Sequence, residues 1–254
     1  FLTSFLPKTL MSMSYIFREH IKQSLAVIAF LITLTACTSE SYDAGDGPNS
    51  YLTADLVLLH TSQDKSVRSA LLDDGTTLQF SNPFAQDWLT RPDSVYRALL
   101  YYDKTVAASD AAASNPTATS IVRARSVRPV PVLRPVEAED METLRTDPVG
   151  FESLWMSKNK SYINLSLLLK SGKTEADDAL HALGIVSHGT TTDADRRRTL
   201  HLTLYHDQGG VPAYYTVQQY VSIPTQLLEE ADTVELTINT YNGKKVMKVA
   251  VSNL

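Results

Sequence analysis

The sequence predicts an all-β protein, with an N-terminal OB-like five-stranded barrel followed by a C-terminal antiparallel β-sandwich. Short stretches that alternate apolar and polar residues recur along residues 51–251, and turn sequences rich in Gly, Asp, Asn and Pro separate them. No stretch of this region has the length and apolar spacing of a crossover helix. Without crossovers the strands connect as neighbours, which is typical of antiparallel barrels and sandwiches.

The first 36 residues are typical of a secretory signal peptide. An apolar run at 24–34 follows a short basic region, and it is shorter than the roughly 20 apolar residues that a membrane-spanning helix needs. A retained transmembrane anchor is the alternative interpretation. The basic region fits a start at Met11 or Met13, so we interpret residues 1–10 as an upstream over-extension.

A lipobox closes the apolar run at the chain's only cysteine, with the sequence Leu34, Thr35, Ala36, Cys37. Bacterial lipoproteins with this pattern are cleaved just before the cysteine and lipidated on its thiol, so we expect Cys37 to anchor the protein in a membrane. Residues 37–50 are then a flexible tether, because they are mostly small, polar and acidic. This acidic patch resembles the surface-export signals of Bacteroidetes lipoproteins. We therefore expect an outer-membrane lipoprotein, with the cell surface favoured over the periplasmic face.

Residues 51–135 hold five predicted strands, which is the number in an OB-like barrel. The strands are predicted at 55–61, 66–72, 76–80, 94–102 and 121–132. Asp73-Asp74-Gly75 lies between the second and third strands and is a strong hairpin signal. Pro129, Pro131 and Pro135 then mark a domain boundary, because proline is excluded from central strands.

Residues 136–254 repeat the β pattern and predict the sandwich. In the strand 162–170 the apolar residues share one face; they are Ile163, Leu165, Leu167 and Leu169. Asn242-Gly243 predicts a two-residue type I′ hairpin in which Tyr241 pairs with Lys244 and Ile238 faces Met247.

Several segments, taken in order, resemble the NigD-like lipoproteins of Bacteroidetes. They are the lipobox, the strand 55–59 (DLVLL), the segment 161–165 (SYINL), the strand 200–206 before an Asp-x-Gly-Gly turn, and the segment 220–224 (YVSIP). The resemblance covers residues 37–251 and implies an OB-like barrel followed by a β-sandwich. The family takes its name from a bacteriocin-associated locus. The family has no established activity, so the resemblance implies only an architecture and a cellular location.

Composition and motifs argue against several classes of function. The chain has 23 Lys and Arg against 28 Asp and Glu, and because residues 1–36 hold three of the bases and one of the acids, the remainder carries a net charge of −7. This balance argues against a nucleic-acid partner. Neither a serine nucleophile motif nor a phosphate-binding loop is present, and with the one cysteine lipidated no thiol remains for catalysis. The histidines of the second domain lack the spacing of a metal site; they are His181, His188, His201 and His206. We therefore expect no enzymatic activity, no metal and no cofactor.

A binding surface is the remaining candidate site. Tyr214 and Tyr220 lie on the most aromatic strand, and its alternation places them outside while Tyr215 points into the core. A second candidate contact consists of Arg196, Arg197 and Arg198. We interpret the protein as a non-enzymatic binding or structural component of the envelope, with an envelope protein or a glycan as its partner. The alternatives are a carbohydrate-binding accessory of a surface glycan system, a bacteriocin-associated or immunity-type protein, and an envelope hydrolase.

Overall fold

A computed structural model of the chain describes residues 52–104, 120–173, 180–228 and 231–251, which fall within one compact unit. Thirteen strands and two short 3-10 turns, Ala138–Asp140 and Thr225–Leu227, are found in these residues. The predicted signal peptide, the predicted lipobox with Cys37 and the predicted tether lie outside them. Within the described ranges, no helix is long and apolar enough to cross a membrane.

The first five strands form a closed barrel, as predicted. They are β1 (Leu52–Thr61), β2 (Val67–Leu72), β3 (Thr77–Phe84), β4 (Val95–Lys104) and β5 (Ser120–Pro129). Their order around the barrel is β1-β2-β3-β5-β4, and β3 and β5 are the parallel pair. Alternate residues of each strand fill the barrel, and those of β4 are Ala98, Leu100 and Tyr102, each at most 2% exposed.

The turn between β2 and β3 forms at Asp73-Asp74-Gly75, as predicted. The Leu72 N–H donates to the Thr76 carbonyl at 2.9 Å, and the Asp74 carboxylate accepts the Thr76 N–H at 2.9 Å. Gly75 adopts a φ of +88°, which glycine reaches without the steric cost that a Cβ atom brings. The turn therefore fixes the position of the neighbouring Asp73, which contacts the sandwich.

The remaining strands form two packed sheets. They are β6 (Pro135–Glu137), β7 (Gly150–Met156), β8 (Tyr162–Ser171), β9 (Ala182–Thr192), β10 (Arg198–Asp207), β11 (Tyr215–Pro224), β12 (Thr233–Thr240) and β13 (Gly243–Ala250). One sheet has the order β13-β12-β10-β9-β6 and the other β11-β8-β7. The sandwich is confirmed, with one correction: the pairs β6–β9 and β10–β12 are parallel rather than antiparallel.

The core of the sandwich follows the predicted alternation of β8. Ile163, Leu165, Leu167 and Leu169 are all buried. They pack against apolar residues of the five-stranded sheet, among them Ile185, Leu202 and Leu236. Burial of each such side chain stabilises the fold by about 1.5–3 kcal/mol.

The register predicted for the last hairpin is wrong by two residues. Thr240 pairs with Gly243 and Ile238 pairs with Lys245, so Tyr241 and Asn242 form the turn. Gly243 alone has a positive φ, of +101°, whereas a type I′ turn needs positive φ at both central residues. A shift of two residues preserves the alternation, so the apolar faces of both strands are nevertheless as predicted.

Strand β5 ends at Pro129, earlier than the predicted 132, and β6 begins at Pro135. Because β6 is an edge strand of the five-stranded sheet, a proline is tolerated at its start. The predicted division between residues 135 and 136 falls inside β6 and stays a prediction.

Candidate functional site

The outer face of the three-stranded sheet carries polar residues that are buried. Asn164 and Ser166 of β8 and Ser222 of β11 alternate with the core residues, yet none is more than 2% exposed. Their burial has a cause in the fold, because the barrel lies against this face. The contact between the barrel and the sandwich is therefore the candidate functional site.

Arg97 of β4 joins the two parts of the molecule. Its guanidinium donates to both carboxylate oxygens of Asp73, at 2.5 and 2.7 Å, to Asn164 Oδ1 at 3.0 Å and to Ser222 Oγ at 3.2 Å. Asn164 Nδ2 donates to Asp73 at 3.1 Å, and Ser222 Oγ donates to Asn164 Oδ1 at 2.7 Å. The guanidinium also lies 4.3 Å from the centre of the Tyr162 ring. We call Arg97, Asp73, Asn164 and Ser222 the Arg97 network.

An apolar contact and two backbone hydrogen bonds also join the barrel to the sandwich. We call this contact, together with the Arg97 network, the junction. Leu56 and Leu99 of the barrel and Val130, directly after β5, are buried, and the rings of Trp155 and Tyr220 pack against them. The segment after β5 then runs along β11. Within this segment the Leu133 N–H donates to the Ser222 carbonyl at 2.8 Å, and the Pro131 carbonyl accepts the Ser222 N–H at 3.0 Å.

Beside the junction, a cleft of about 410 Å³ lies between the barrel and the sandwich. Trp155 of β7 and Tyr220 of β11 meet in it with ring centroids 6.2 Å apart and an interplanar angle of 84°. Tyr101 of β4 is a third aromatic lining residue, and the Arg128 guanidinium lies 5.9 Å from its ring. The charged lining residues are Asp55, Asp73, Asp74, Glu152 and Lys158.

Glu152 is held in one orientation by neutral donors. Its Oε2 accepts the Ser166 hydroxyl at 2.6 Å and the Gln218 amide at 2.5 Å. These two hydrogen bonds, with that of Ser166 first, lower the pKa of the Glu152 carboxyl against the small opposing effect of burial. Glu152 is therefore ionised at neutral pH. Within the described part of the chain its other oxygen, Oε1, accepts no hydrogen bond, and the residue is exposed.

Two further carboxylates lie on the barrel side of the cleft. Burial raises the pKa of Asp74, but the hydrogen bonds from Thr76 and the charge of Lys158 outweigh this effect and lower it overall. Asp55 accepts the Tyr102 hydroxyl at 2.8 Å. Burial and the Asp55 carboxylate together raise the pKa of Tyr102, which therefore remains a hydrogen-bond donor.

Residues 132–251 match the family model of the NigD-like C-terminal beta sandwich domain. This part of the chain is a NigD-like C-terminal domain. This match covers the sandwich from the segment before β6 to the end of the described residues. No curated protein matches the chain.

Solved structures of similar fold extend over the barrel as well. A NigD-like immunity protein from Bacteroides caccae matches with a TM-score of 0.56 and 23% identity, over 78% of this chain and 91% of its own. A protein of unknown function, DUF1344, from Bacteroides vulgatus matches with a TM-score of 0.54 and 17% identity, over 78% and 90%. A candidate lipoprotein from Bacteroides fragilis matches with a TM-score of 0.55 and 14% identity, over 79% and 98%. At these identities the similarity establishes the fold.

The structure separates the two predicted tyrosines of the NigD-like sandwich. Tyr220 lies in the cleft and is half-buried against Trp155 rather than fully outside. Tyr214 precedes β11, is 79% exposed and does not line the cleft. Tyr215 is 50% exposed, so its predicted core position is wrong, because the first half of β11 extends beyond the sandwich core.

The three predicted arginines lie in and after the turn between β9 and β10. Arg196 adopts a φ of +62°, and the Asp193 carboxylate accepts the Arg197 N–H at 2.9 Å. Arg196, Arg197 and Arg198 are exposed and lie apart from the cleft. Their role as a binding surface stays a prediction, as does that of Tyr214.

The histidines of the second domain serve separate hydrogen-bond networks. His201 bridges the Thr191 hydroxyl and the Glu235 carboxylate, at 2.7 and 3.1 Å. His206 is buried on the other face of β10, and its Nε2 lies 3.0 Å from Nδ1 of His181. Among the described residues, no group of three or more metal-binding side chains converges.

Trp155 and Glu152 are site residues that sequence reasoning missed. In the sequence, polar residues of β8 and β11 alternate with the apolar residues of the core. This alternation predicts which face of the sheet is polar, but it does not predict that the barrel covers that face. A bulge between Phe151 and Ser153 then places Glu152 beside Ser166.

Proposed function

We propose that this protein is a lipoprotein of the outer membrane that acts without catalysis as a binding component of the cell envelope. Cys37 is its lipid anchor, and the cleft between the barrel and the sandwich is its binding site. The lipobox and the acidic tether support the anchor and a position on the cell surface. The fold shared with a candidate lipoprotein from Bacteroides fragilis is consistent with this address.

The lowered pKa values of Glu152 and Asp74 are what favours binding over catalysis. A glycosidase needs one carboxylic acid with a raised pKa to protonate the leaving group. In this cleft the pKa values of Glu152 and Asp74 are both lowered. The lining residues that are described include no histidine to activate a serine hydroxyl. Both observations favour a surface that recognises a ligand and releases it unchanged.

An immunity-type role is the second candidate, because the Bacteroides caccae structure of the same fold is that of a NigD-like immunity protein. In that role the partner would be a protein, and contact would extend over an area much larger than the cleft, typically about 800 Å² on each partner. Mutation of the cleft alone would then leave most of the affinity intact.

Membrane fractionation and protease shaving of intact cells test the address. We expect wild-type protein in the membrane fraction and its loss when intact cells are treated with protease. Cys37→Ala should leave the protein in the soluble fraction, while Ser39→Ala, which keeps the lipobox, should match the wild type. Membrane association of Cys37→Ala equal to that of the wild type would overturn the lipid anchor. Protection of the wild type until lysis would overturn the surface position.

A further inference from the structure

We propose that the cleft is a binding site for an uncharged oligosaccharide, with a pyranose ring held in the corner between Trp155 and Tyr220. The proposal rests on the proposed function, because it names the class of ligand for that binding site. Three properties of the cleft carry it: the arrangement of the rings, the free polar groups beside them, and the balance of charge.

The two rings form a corner that fits the shape of a pyranose. At an interplanar angle of 84° and a centroid distance of 6.2 Å, one ring forms a floor and the other a wall. The C–H groups on one side of a pyranose make dispersion contacts with an aromatic face, while its equatorial hydroxyls point outward along the edge. The volume of about 410 Å³ lies within the range of roughly 300–1,000 Å³ that small-ligand sites occupy.

Next to the aromatic corner, the polar groups are fixed before a ligand arrives. Ser166 and Gln218 hold Oε2 of Glu152, so its free Oε1 has a set direction. The Gln218 amide also donates to Ser166 Oγ at 3.1 Å, which leaves its carbonyl oxygen as a second acceptor. Sugar hydroxyls are donors that suit such oxygens, and groups oriented in advance lose little entropy on binding.

The balance of charge selects against anionic ligands. Glu152 and Asp55 accept hydrogen bonds from neutral groups only, and among the charged lining residues Lys158 is the single cation. Asp73 is compensated by Arg97, and Asp74 is partly compensated by Lys158. A uronate, sulfate or phosphate would therefore face unpaired carboxylates, which raises the free energy of its binding.

The Arg97 network makes the cleft a preformed site. It fixes β4 of the barrel, which carries Tyr101, against β11 of the sandwich, which carries Tyr220. Four hydrogen bonds from the Arg97 side chain meet acceptors in this network, so the two walls are held by directional bonds as well as by apolar contact.

Binding of defined hexasaccharides to the full-length lipidated protein, purified in detergent, tests the proposal. The probes are neutral hexamers of α-glucose, β-glucose, β-xylose, β-mannose and N-acetylglucosamine, with oligogalacturonate and heparin hexamers as the anionic arm. Isothermal calorimetry gives affinities. In a Trp88→Phe background, Trp155 is the only tryptophan left, so its emission reports on the cleft.

We expect at least one neutral hexamer to bind and to change the emission of Trp155, with no binding of the anionic hexamers. Tyr220→Ala and Glu152→Gln should each weaken that binding at least tenfold. Tyr214→Ala, which removes an exposed tyrosine outside the cleft, should leave it unchanged. Because Glu152 and Gln218 are exposed, Glu152→Gln and Gln218→Ala keep the test valid even if Tyr220→Ala fails to fold.

Three outcomes would overturn the saccharide site. They are binding of no neutral hexamer at millimolar concentration, preference for an anionic hexamer, and binding that the Tyr220, Glu152 and Gln218 substitutions leave unchanged. Capture of a protein partner instead, with no glycan bound, would favour the immunity-type role. None of these results affects the Cys37 experiment. A wrong proposal about the ligand can therefore be distinguished from a wrong proposal about the location in the envelope.

Discussion

Replacement of Arg97 by methionine should destabilise the whole compact unit, because it removes the cation of the Arg97 network. The Arg97 side chain is 1% exposed, and that of its partner Asp73 is 20% exposed. Methionine retains much of the apolar length of arginine, so the packing volume changes little. The substitution therefore tests the charge and the hydrogen bonds rather than the formation of a cavity.

The magnitude follows from what remains after the substitution. Removal of one partner from a buried ion pair costs roughly 3–5 kcal/mol, because the other charge stays desolvated. Asp73 keeps the Asn164 amide as a donor and is partly exposed, while Ser222 and Asn164 still bond to each other. These compensations put the expected loss at the lower end, about 3 kcal/mol. Asp73→Asn in the same chain should restore part of it, because no unpaired charge is then left.

Urea unfolding followed by tryptophan fluorescence measures the free energy of unfolding. Arg125→Met is the matched control, because Arg125 also pairs with an aspartate on the barrel, Asp103 at 2.5 Å, but its side chain is 41% exposed. The loss in the control should stay below about 1 kcal/mol. A loss for Arg97→Met within 0.5 kcal/mol of that control would refute the structural role assigned to the Arg97 network.

Three further substitutions test other parts of the fold. Burial and the neighbouring His206 lower the pKa of His181, so its contribution to stability is complete above the unfolded-state pKa of about 6.5 and declines as the pH falls below it. His181→Gln should therefore reduce the loss of unfolding free energy between pH 7 and 5.5, measured by urea unfolding at both pH values. Gly243→Ala should cost about 1–2 kcal/mol in urea unfolding, because its φ of +101° strains a residue with a Cβ atom, and a loss below 0.3 kcal/mol would contradict the turn geometry. Leu165→Ala should lower the free energy of unfolding by about 2–5 kcal/mol, since Leu165 is fully buried between the two sheets, and a smaller loss would indicate that the core collapses around the cavity.

Alternation along the sequence predicts the faces of the strands, and it did so for β8, where Ile163, Leu165, Leu167 and Leu169 lie in the core. It does not predict what covers the opposite face. Asn164, Ser166 and Ser222 have the polarity of solvent-facing residues and are nevertheless buried, because the barrel packs on them. The cleft could not be predicted for the same reason: its lining residues come from strands more than 100 positions apart, and only the tertiary contact brings them together.

Register is less predictable than face. A two-residue shift in the last hairpin moves Ile238 from Met247 to Lys245 and leaves every apolar residue on the same side. The deciding property was the conformation of Asn242, which tolerates a positive φ but does not adopt one here. Since both turn geometries accept Asn-Gly, the sequence alone could not choose between them.

Two rows of side chains, one on β4 and one on β11, run from the Arg97 network to the cleft; we call them stripes. On β4, Arg97, Leu99 and Tyr101 point outward while the residues between them fill the barrel, so one stripe passes from the Arg97 network through apolar contact to the cleft. On β11, Ser222, Tyr220 and Gln218 form the matching stripe from the network through the aromatic corner to the fixed amide. Each stripe lies on a single strand, so the distance between the network and the cleft residues proposed to bind the ligand is set by backbone geometry at about 3.3 Å per residue. Rigidity at the network therefore extends to the cleft, and a substitution such as Arg97→Met should weaken ligand binding even though Arg97 is not itself part of the aromatic corner.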